Sequence, residues 1–170
     1  MGHTFAGRAR IVRMPGWGFP RSRLVTDQGT VLLELGRLSW FSVFLGTGQR
    51  VRLPDGARWR VGSVARHRWV CPVIAAEGGA AIARSTAGDG NYGISTRDHV
   101  YSFNPAEASR GRAQRWILVE YESEVAAIHR RPFVVEALAP VHLGVVVLAQ
   151  VLANFGVMGE KDLVPVQQAQ

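Results

Sequence analysis

The sequence predicts a mainly β protein, an antiparallel barrel or sandwich that ends in one apolar helix. Three observations carry that prediction. Turn-forming residues recur about every ten positions, the rhythm of short antiparallel strands. No strand–helix–strand alternation is present, which argues against a doubly wound fold. Near the C-terminus, residues 137–159 hold no charged side chain other than a protonated His142.

The strands can be placed in order by the turns between them. The first is expected over 8–13, before Pro15, Gly16 and Gly18 break the pattern. Strands at 23–26 and 30–35 flank Asp27-Gln28-Gly29, and strands at 39–45 and 49–53 flank Gly46-Thr47-Gly48. Pro54-Asp55-Gly56 joins 49–53 to a strand at 57–64. Strands at 69–75 and 80–84 flank Glu77-Gly78-Gly79, and Gly88-Asp89-Gly90-Asn91 leads into 92–96. Further strands are expected at 99–103, 114–121, 124–130 and 133–136. Gly and Asn supply the positive φ that tight turns need, and Pro presets the first turn position.

The run at 141–158 has no strict alternation and no turn dipeptide, and it is too long for one strand. Pro140 suits a first helical position, and Gly156 or Gly159 suits a stop. Val145-Val146-Val147 opposes a helix, because β-branched side chains lose rotamer freedom there. Length outweighs this, and a helix is expected over about 140–158. A helix apolar all round must be surrounded by protein or by lipid. Eighteen residues span about 27 Å, close to the thickness of a bilayer core. Gln150 and Asn154 oppose the lipid alternative, since amides are costly at that depth.

The chain has 170 residues, which fits one domain over 1–163 with a frayed tail at 164–170. A domain of this size buries roughly 70% of its unfolded surface and needs no disulfide or metal. Hydrophobic residues make up 47% of the chain, and the net charge is +7. Those figures argue against a disordered chain, a disulfide scaffold and a polytopic membrane protein. Cys71 is the only cysteine, which excludes an intrachain disulfide and a zinc site of several thiolates. A single cysteine suits a reducing compartment, and the arginine-broken start reads as unsecreted, so a cytoplasmic location is expected. Gly2 is followed by Ala6 where a myristoylation motif needs Ser or Thr.

Motifs for chemistry are sparse. Gly88-Asp89-Gly90-Asn91-Tyr92-Gly93 matches a dinucleotide fingerprint, but the residues after it read as strand where that motif needs a helix. The five histidines include no i, i+4 pair. Asp98 and His99 are neighbours, and on a strand neighbours point to opposite faces. Cys71, before Pro72, reads as a small core residue, and Ser95 lacks a nucleophile elbow. Glu120, Glu122 and Glu124 share a face if they lie on one strand, or else surround a turn. No catalytic residue, cofactor or metal site is expected, and the protein reads as non-enzymatic.

The basic residues are more informative. Of 20, only Lys161 is lysine. Six i, i+2 pairs stand out: Arg8/Arg10, Arg21/Arg23, Arg50/Arg52, Arg58/Arg60, Arg66/Arg68 and Arg110/Arg112. On a strand, i and i+2 share a face. A three-residue loop with a left-handed Gly56 pairs Leu53 with Ala57. Register then sets Arg52 opposite Arg58, Val51 opposite Trp59 and Arg50 opposite Arg60. Arg66 and Arg68 extend the patch unless Gly62 and Ser63 carry a bulge. Such a face is either a solvated exterior or a phosphate site, since the guanidinium fork suits phosphate.

The order of short strands and one apolar C-terminal helix resembles the tubby-like barrel superfamily. That group includes the tubby C-terminal domain, the LURP-one-related proteins and the phospholipid scramblases. The resemblance rests on Trp116-Ile117-Leu118-Val119-Glu120-Tyr121, Val125-Ala126-Ala127-Ile128, Phe133-Val134-Val135-Glu136 and the helix after them. It implies a closed barrel of about twelve strands with the hydrophobic helix threaded through its centre. It also implies, loosely, lipid binding. No tubby phosphoinositide-binding residue maps onto this chain, and no acidic run matches a scramblase calcium segment.

The expected function is a cytoplasmic, non-enzymatic module, peripheral at the membrane. Arg50, Arg52, Arg58, Arg60, Arg66 and Arg68 would face anionic phospholipid headgroups or another phosphorylated ligand. The alternative is a tail-anchored membrane protein with a cytoplasmic β domain, acting as a scaffold or scramblase-like component. Arg130 and Arg131 before the helix would keep that side cytoplasmic. Charge permits nucleic-acid binding, but Trp59 and Trp69 sit in inward strand phases and leave no stacking platform.

Overall fold

A computed structural model describes residues 3–15, 21–39, 48–63, 73–87, 91–106 and 113–155. Its strands are β1 (Thr4–Arg13), β2 (Ser22–Thr26), β3 (Val31–Leu35), β4 (Gln49–Arg52), β5 (Arg58–Ser63) and β6 (Val73–Glu77). They continue as β7 (Ala80–Ala87), β8 (Tyr92–Ser95), β9 (Val100–Pro105), β10 (Arg115–Glu120), β11 (Ser123–His129) and β12 (Val134–His142). Each strand pairs antiparallel with the next, and β12 pairs with β1 to close a twelve-stranded barrel. Closure leaves no open sheet edge. One helix, α1 (Leu143–Phe155), follows β12.

Alternation sorts the side chains. In β4, Gln49 and Val51 are buried while Arg50 and Arg52 are exposed. The same period sends Leu24, Leu33, Trp59, Val61, Ile94, Phe103 and Leu118 inward. α1 packs into the same core cluster, and every residue from Leu143 to Ala153 is buried. A helix lying on the outside of a closed sheet would expose one face to water. Burial on every side therefore places α1 within the barrel. It approaches β6, β7, β8 and β12 most closely, and there Ala75 and Ala83 point inward. Small side chains on those strands leave room for a helix backbone.

Several boundaries differ from the expectation, among them the end of β7, which runs to Ala87 and not to residue 84. β12 runs on to His142, so Pro140 lies in a strand and not in the first helical turn. The β1–β12 register shifts between Phe5 and Gly7, where Gly7 has φ 97°. In that bulge the ladder asks no N–H of Pro140, so proline is tolerated. The bulge also lets β1 begin at Thr4, four residues before the expected start. The helix is correspondingly shorter than 140–158, with 13 residues ending at Phe155. The valine triplet stays helical because Val145, Val146 and Val147 are all buried, and packing outweighs propensity. Residues 156–158, the expected strand at 39–45 beyond Ser39, and the start of the 69–75 strand lie outside the described residues. The frayed tail at 164–170 lies there too.

Alternating turns place like charges together. The end where α1 begins carries Asp27, Asp55, Glu77, Asp98, Glu120 and Glu122 at strand ends and turns. The other end carries Arg13, Arg21, Arg37, Arg130 and Arg131. α1 has no acidic residue in its first turn and no basic residue in its last. The barrel rims thus supply charges of the sign that the helix dipole favours at each end. Arg130 Nε also donates to Asn154 Oδ1 at 3.3 Å, and Asn154 Nδ2 donates to the Gln150 carbonyl at 2.8 Å. Asn154 is thereby accommodated at the mouth.

Gln150 is not. Its Oε1 is buried without a hydrogen-bond partner among the described residues. A buried unpaired acceptor costs about 1–3 kcal/mol. Gln150→Met keeps the volume and removes that acceptor, and it is expected to raise the denaturant midpoint with an unchanged slope. A lowered midpoint would show that the amide is satisfied.

No helix among the described residues is long and apolar enough to cross a membrane. The tail-anchor alternative needs α1 in lipid, and here α1 is packed against the barrel's inner wall.

Candidate functional site

The β4–β5 hairpin forms as its sequence requires. Gly56 has φ 93°, the left-handed conformation that a side chain disfavours. The Leu53 N–H donates to the Ala57 carbonyl at 2.9 Å, and the Gly56 N–H donates to the Leu53 carbonyl at 3.0 Å. Asp55 Oδ1 accepts the Ala57 N–H at 3.0 Å. Arg50 stands opposite Arg60, Val51 opposite Trp59, and Arg52 opposite Arg58. Val51 and Trp59 are buried, whereas all four arginines are exposed. Arg66 and Arg68 lie outside the described residues.

Three other outer-wall arginines, Arg8, Arg23 and Arg115, are paired with carboxylates. Arg23 Nε and Nη2 donate to Glu34 Oε1 at 3.0 and 2.8 Å. Arg8 lies 3.5 Å from Glu136 and 4.0 Å from Asp27, and Arg115 lies 3.3 Å from Glu124. Glu34 also stands opposite Arg52 across β3–β4, but its oxygen is held by Arg23. Arg50, Arg52, Arg58 and Arg60 form no ion pair with a described residue. Like charges directly opposite on a sheet repel, and water or a bound anion relieves the repulsion. A phosphate could engage two forks across the hairpin at once.

The glycine-rich motif does not open a helix. Gly88, Asp89 and Gly90 lie outside the described residues, and the chain after them is β8. Cys71 is outside them too. Glu120 and Glu122 flank a turn, with Tyr121 and Glu122 at φ 46° and 66°. Among the described residues no group of His, Cys, Asp or Glu could hold a metal ion.

A second cluster sits in the mouth where α1 begins. His99 Nδ1 lies 2.7 Å from Glu120 Oε1, so its partner is not the adjacent Asp98. The His99 ring stacks on Tyr101 at 5.9 Å. Burial, with the Glu120 carboxylate nearby, pushes the Tyr101 phenol up to about 12. His142 stacks on Trp59 at 5.8 Å, and His3 meets Trp59 edge-on at 5.3 Å. His3 Nδ1 lies 3.6 Å from Asp55. The sequence signal for the His99–Glu120 pair is the β9–β10 register, which sets these positions at neighbouring strand ends.

His142 also caps the helix. Its Nδ1 accepts the Gly144 N–H at 3.0 Å, and the His3 carbonyl accepts the Leu143 N–H at 2.7 Å. An imidazolium has a proton on both nitrogens, so protonation breaks this cap. Burial first, then His3 and His99, lower the His142 pKa below its usual 6.5. The unfolded chain therefore binds this proton more readily than the folded one. Stability is full above about pH 6.5 and falls as pH drops from there toward the folded pKa. His142→Asn retains a capping acceptor without a titrating group. Its unfolding midpoint is expected to vary less between pH 7 and pH 5, as followed by denaturant titration. An unchanged profile would assign the dependence to another group.

Comparison with protein-family models, curated proteins and solved structures finds no match to this chain.

Proposed function

We propose that the protein is a non-enzymatic, tubby-like binding module whose β4–β5 outer face takes an anionic, phosphorylated ligand. The favoured ligand is an anionic phospholipid headgroup at a cytoplasmic membrane surface. The single observation that carries this reading is the four-arginine face. Two cross-strand pairs, Arg50–Arg60 and Arg52–Arg58, are exposed and lack carboxylate partners among the described residues. A closed barrel with an internal helix is the architecture that the tubby-like resemblance implies, which supports the reading at the level of fold.

The test is sedimentation with vesicles across a salt series. Anionic vesicles are expected to pellet the protein, less so as salt rises, and neutral vesicles are not. Each arginine near an anionic surface contributes about 1 kcal/mol. Arg52→Glu with Arg58→Glu removes two attractions and adds two repulsions, so partitioning should fall by about thirtyfold or more. A soluble phosphate ester that binds the protein while anionic vesicles do not would assign the face to a free phosphorylated ligand. Equal pelleting with neutral and anionic vesicles would refute the reading.

A further inference from the structure

The mouth where α1 begins holds a cavity of about 390 Å³ that is separate from the arginine face. Arg97, Asp98, His99, Tyr101, Ile82 and His142 are among its lining residues. Tyr101, only 3% exposed and stacked on His99, contributes a phenolic hydroxyl. With its pKa pushed up to about 12, that hydroxyl is a donor at neutral pH. His142 spends Nδ1 as an acceptor, so Nε2 carries the proton and is a second donor. Arg97 and Asp98 are exposed neighbours on the β8–β9 turn, and neither forms an ion pair with a described residue. Ile82 and the faces of the stacked His99 and Tyr101 rings supply apolar surface.

A ligand for this cavity must satisfy opposed demands. The phenol, the imidazole N–H and the guanidinium call for an acceptor with negative charge. Asp98, and the acidic rim of Asp27, Asp55, Glu77, Glu120 and Glu122 around it, disfavour a net anion. A zwitterion meets both. We infer that the mouth cavity binds a free α-amino acid with an apolar side chain. Its carboxylate meets Arg97, Tyr101 and His142, its ammonium meets Asp98, and its side chain lies against Ile82 and the aromatic rings. The volume falls within the range of small-molecule sites, about 300–1,000 Å³.

The test titrates the full chain with L-phenylalanine, N-acetyl-L-phenylalanine and L-phenylalaninamide. Backbone amide resonances of residues 97–101 and Gly144 report binding. L-phenylalanine is expected to shift them saturably. Blocking the amine or the carboxylate should weaken binding about tenfold or more, the loss of one charge-assisted contact. Arg97→Gln and Asp98→Asn change exposed residues and should each produce a comparable loss with the spectrum otherwise intact. Arg52→Glu with Arg58→Glu should leave this titration unchanged, which separates the cavity from the arginine face. The inference fails if L-phenylalanine causes no saturable shift. It also fails if the blocked analogues bind equally well, or if neither cavity variant weakens binding.

Discussion

Leu148→Asp is expected to abolish the folded state. Leu148 is fully buried in the middle of α1, among the inward side chains of the barrel. An isolated carboxylate there must stay charged without a partner or take up a proton at large cost. Losses above 4–5 kcal/mol follow from such burial, against a total stability of about 5–15 kcal/mol for a domain. Far-ultraviolet circular dichroism should show no cooperative unfolding transition. Leu148→Met, close in volume, should lose less than about 1.5 kcal/mol. A Leu148→Asp protein that still unfolds cooperatively would mean that α1 is not part of the barrel's interior.

Trp59→Ala carries the next largest effect. Trp59 is 1% exposed, opposite Val51, and it stacks on the His142 ring that caps α1. Removing so large a side chain from a packed core costs about 3–5 kcal/mol. The loss should appear as a lower denaturant midpoint. Trp59 Nε1 has no hydrogen-bond partner among the described residues. Trp59→Phe therefore removes no hydrogen bond and should cost much less than the alanine variant. If the two variants were equally damaged, the indole nitrogen would have a partner. Trp59 also ties the core to the outer face, because the residues beside it, Arg58 and Arg60, point outward. Losing the ring should loosen the spacing of the arginine pairs as well as the core.

The β4–β5 hairpin was legible in the sequence because its turn chemistry is explicit. Pro54-Asp55-Gly56 specifies one loop, and that loop specifies every cross-strand pair. The end of β12 was less legible. Pro140 marks helix starts in many chains, but here a bulge seated on Gly7 admits it to a strand. That bulge depends on the pairing of β1 with β12, residues more than a hundred positions apart. The β10–β11 turn was legible only as the gap between the strands expected at 114–121 and 124–130. Tyr121 and Glu122 adopt positive φ without the Gly or Asn that announces such a turn. The mouth cluster was illegible as a cluster. Asp98 beside His99 drew attention in the sequence, whereas the observed partner is Glu120, brought in by strand pairing. His3, Trp59 and His142 meet only because the barrel closes.

The arginines illustrate the limit of composition. A net charge of +7 fixes no location. Strand register does, by setting four guanidiniums on one outer face while Glu34 and Glu136 engage arginines elsewhere. On the proposed function, anionic ligands recognise that face and not the overall charge. The most direct measurement compares two variants of equal charge in vesicle sedimentation. One is Arg52→Glu with Arg58→Glu, and the other is Arg10→Glu with Arg84→Glu at exposed positions of other strands. Only the first is expected to lose binding to anionic vesicles. Equal loss in both would contradict this reading, leaving a diffuse electrostatic attraction where a site is proposed.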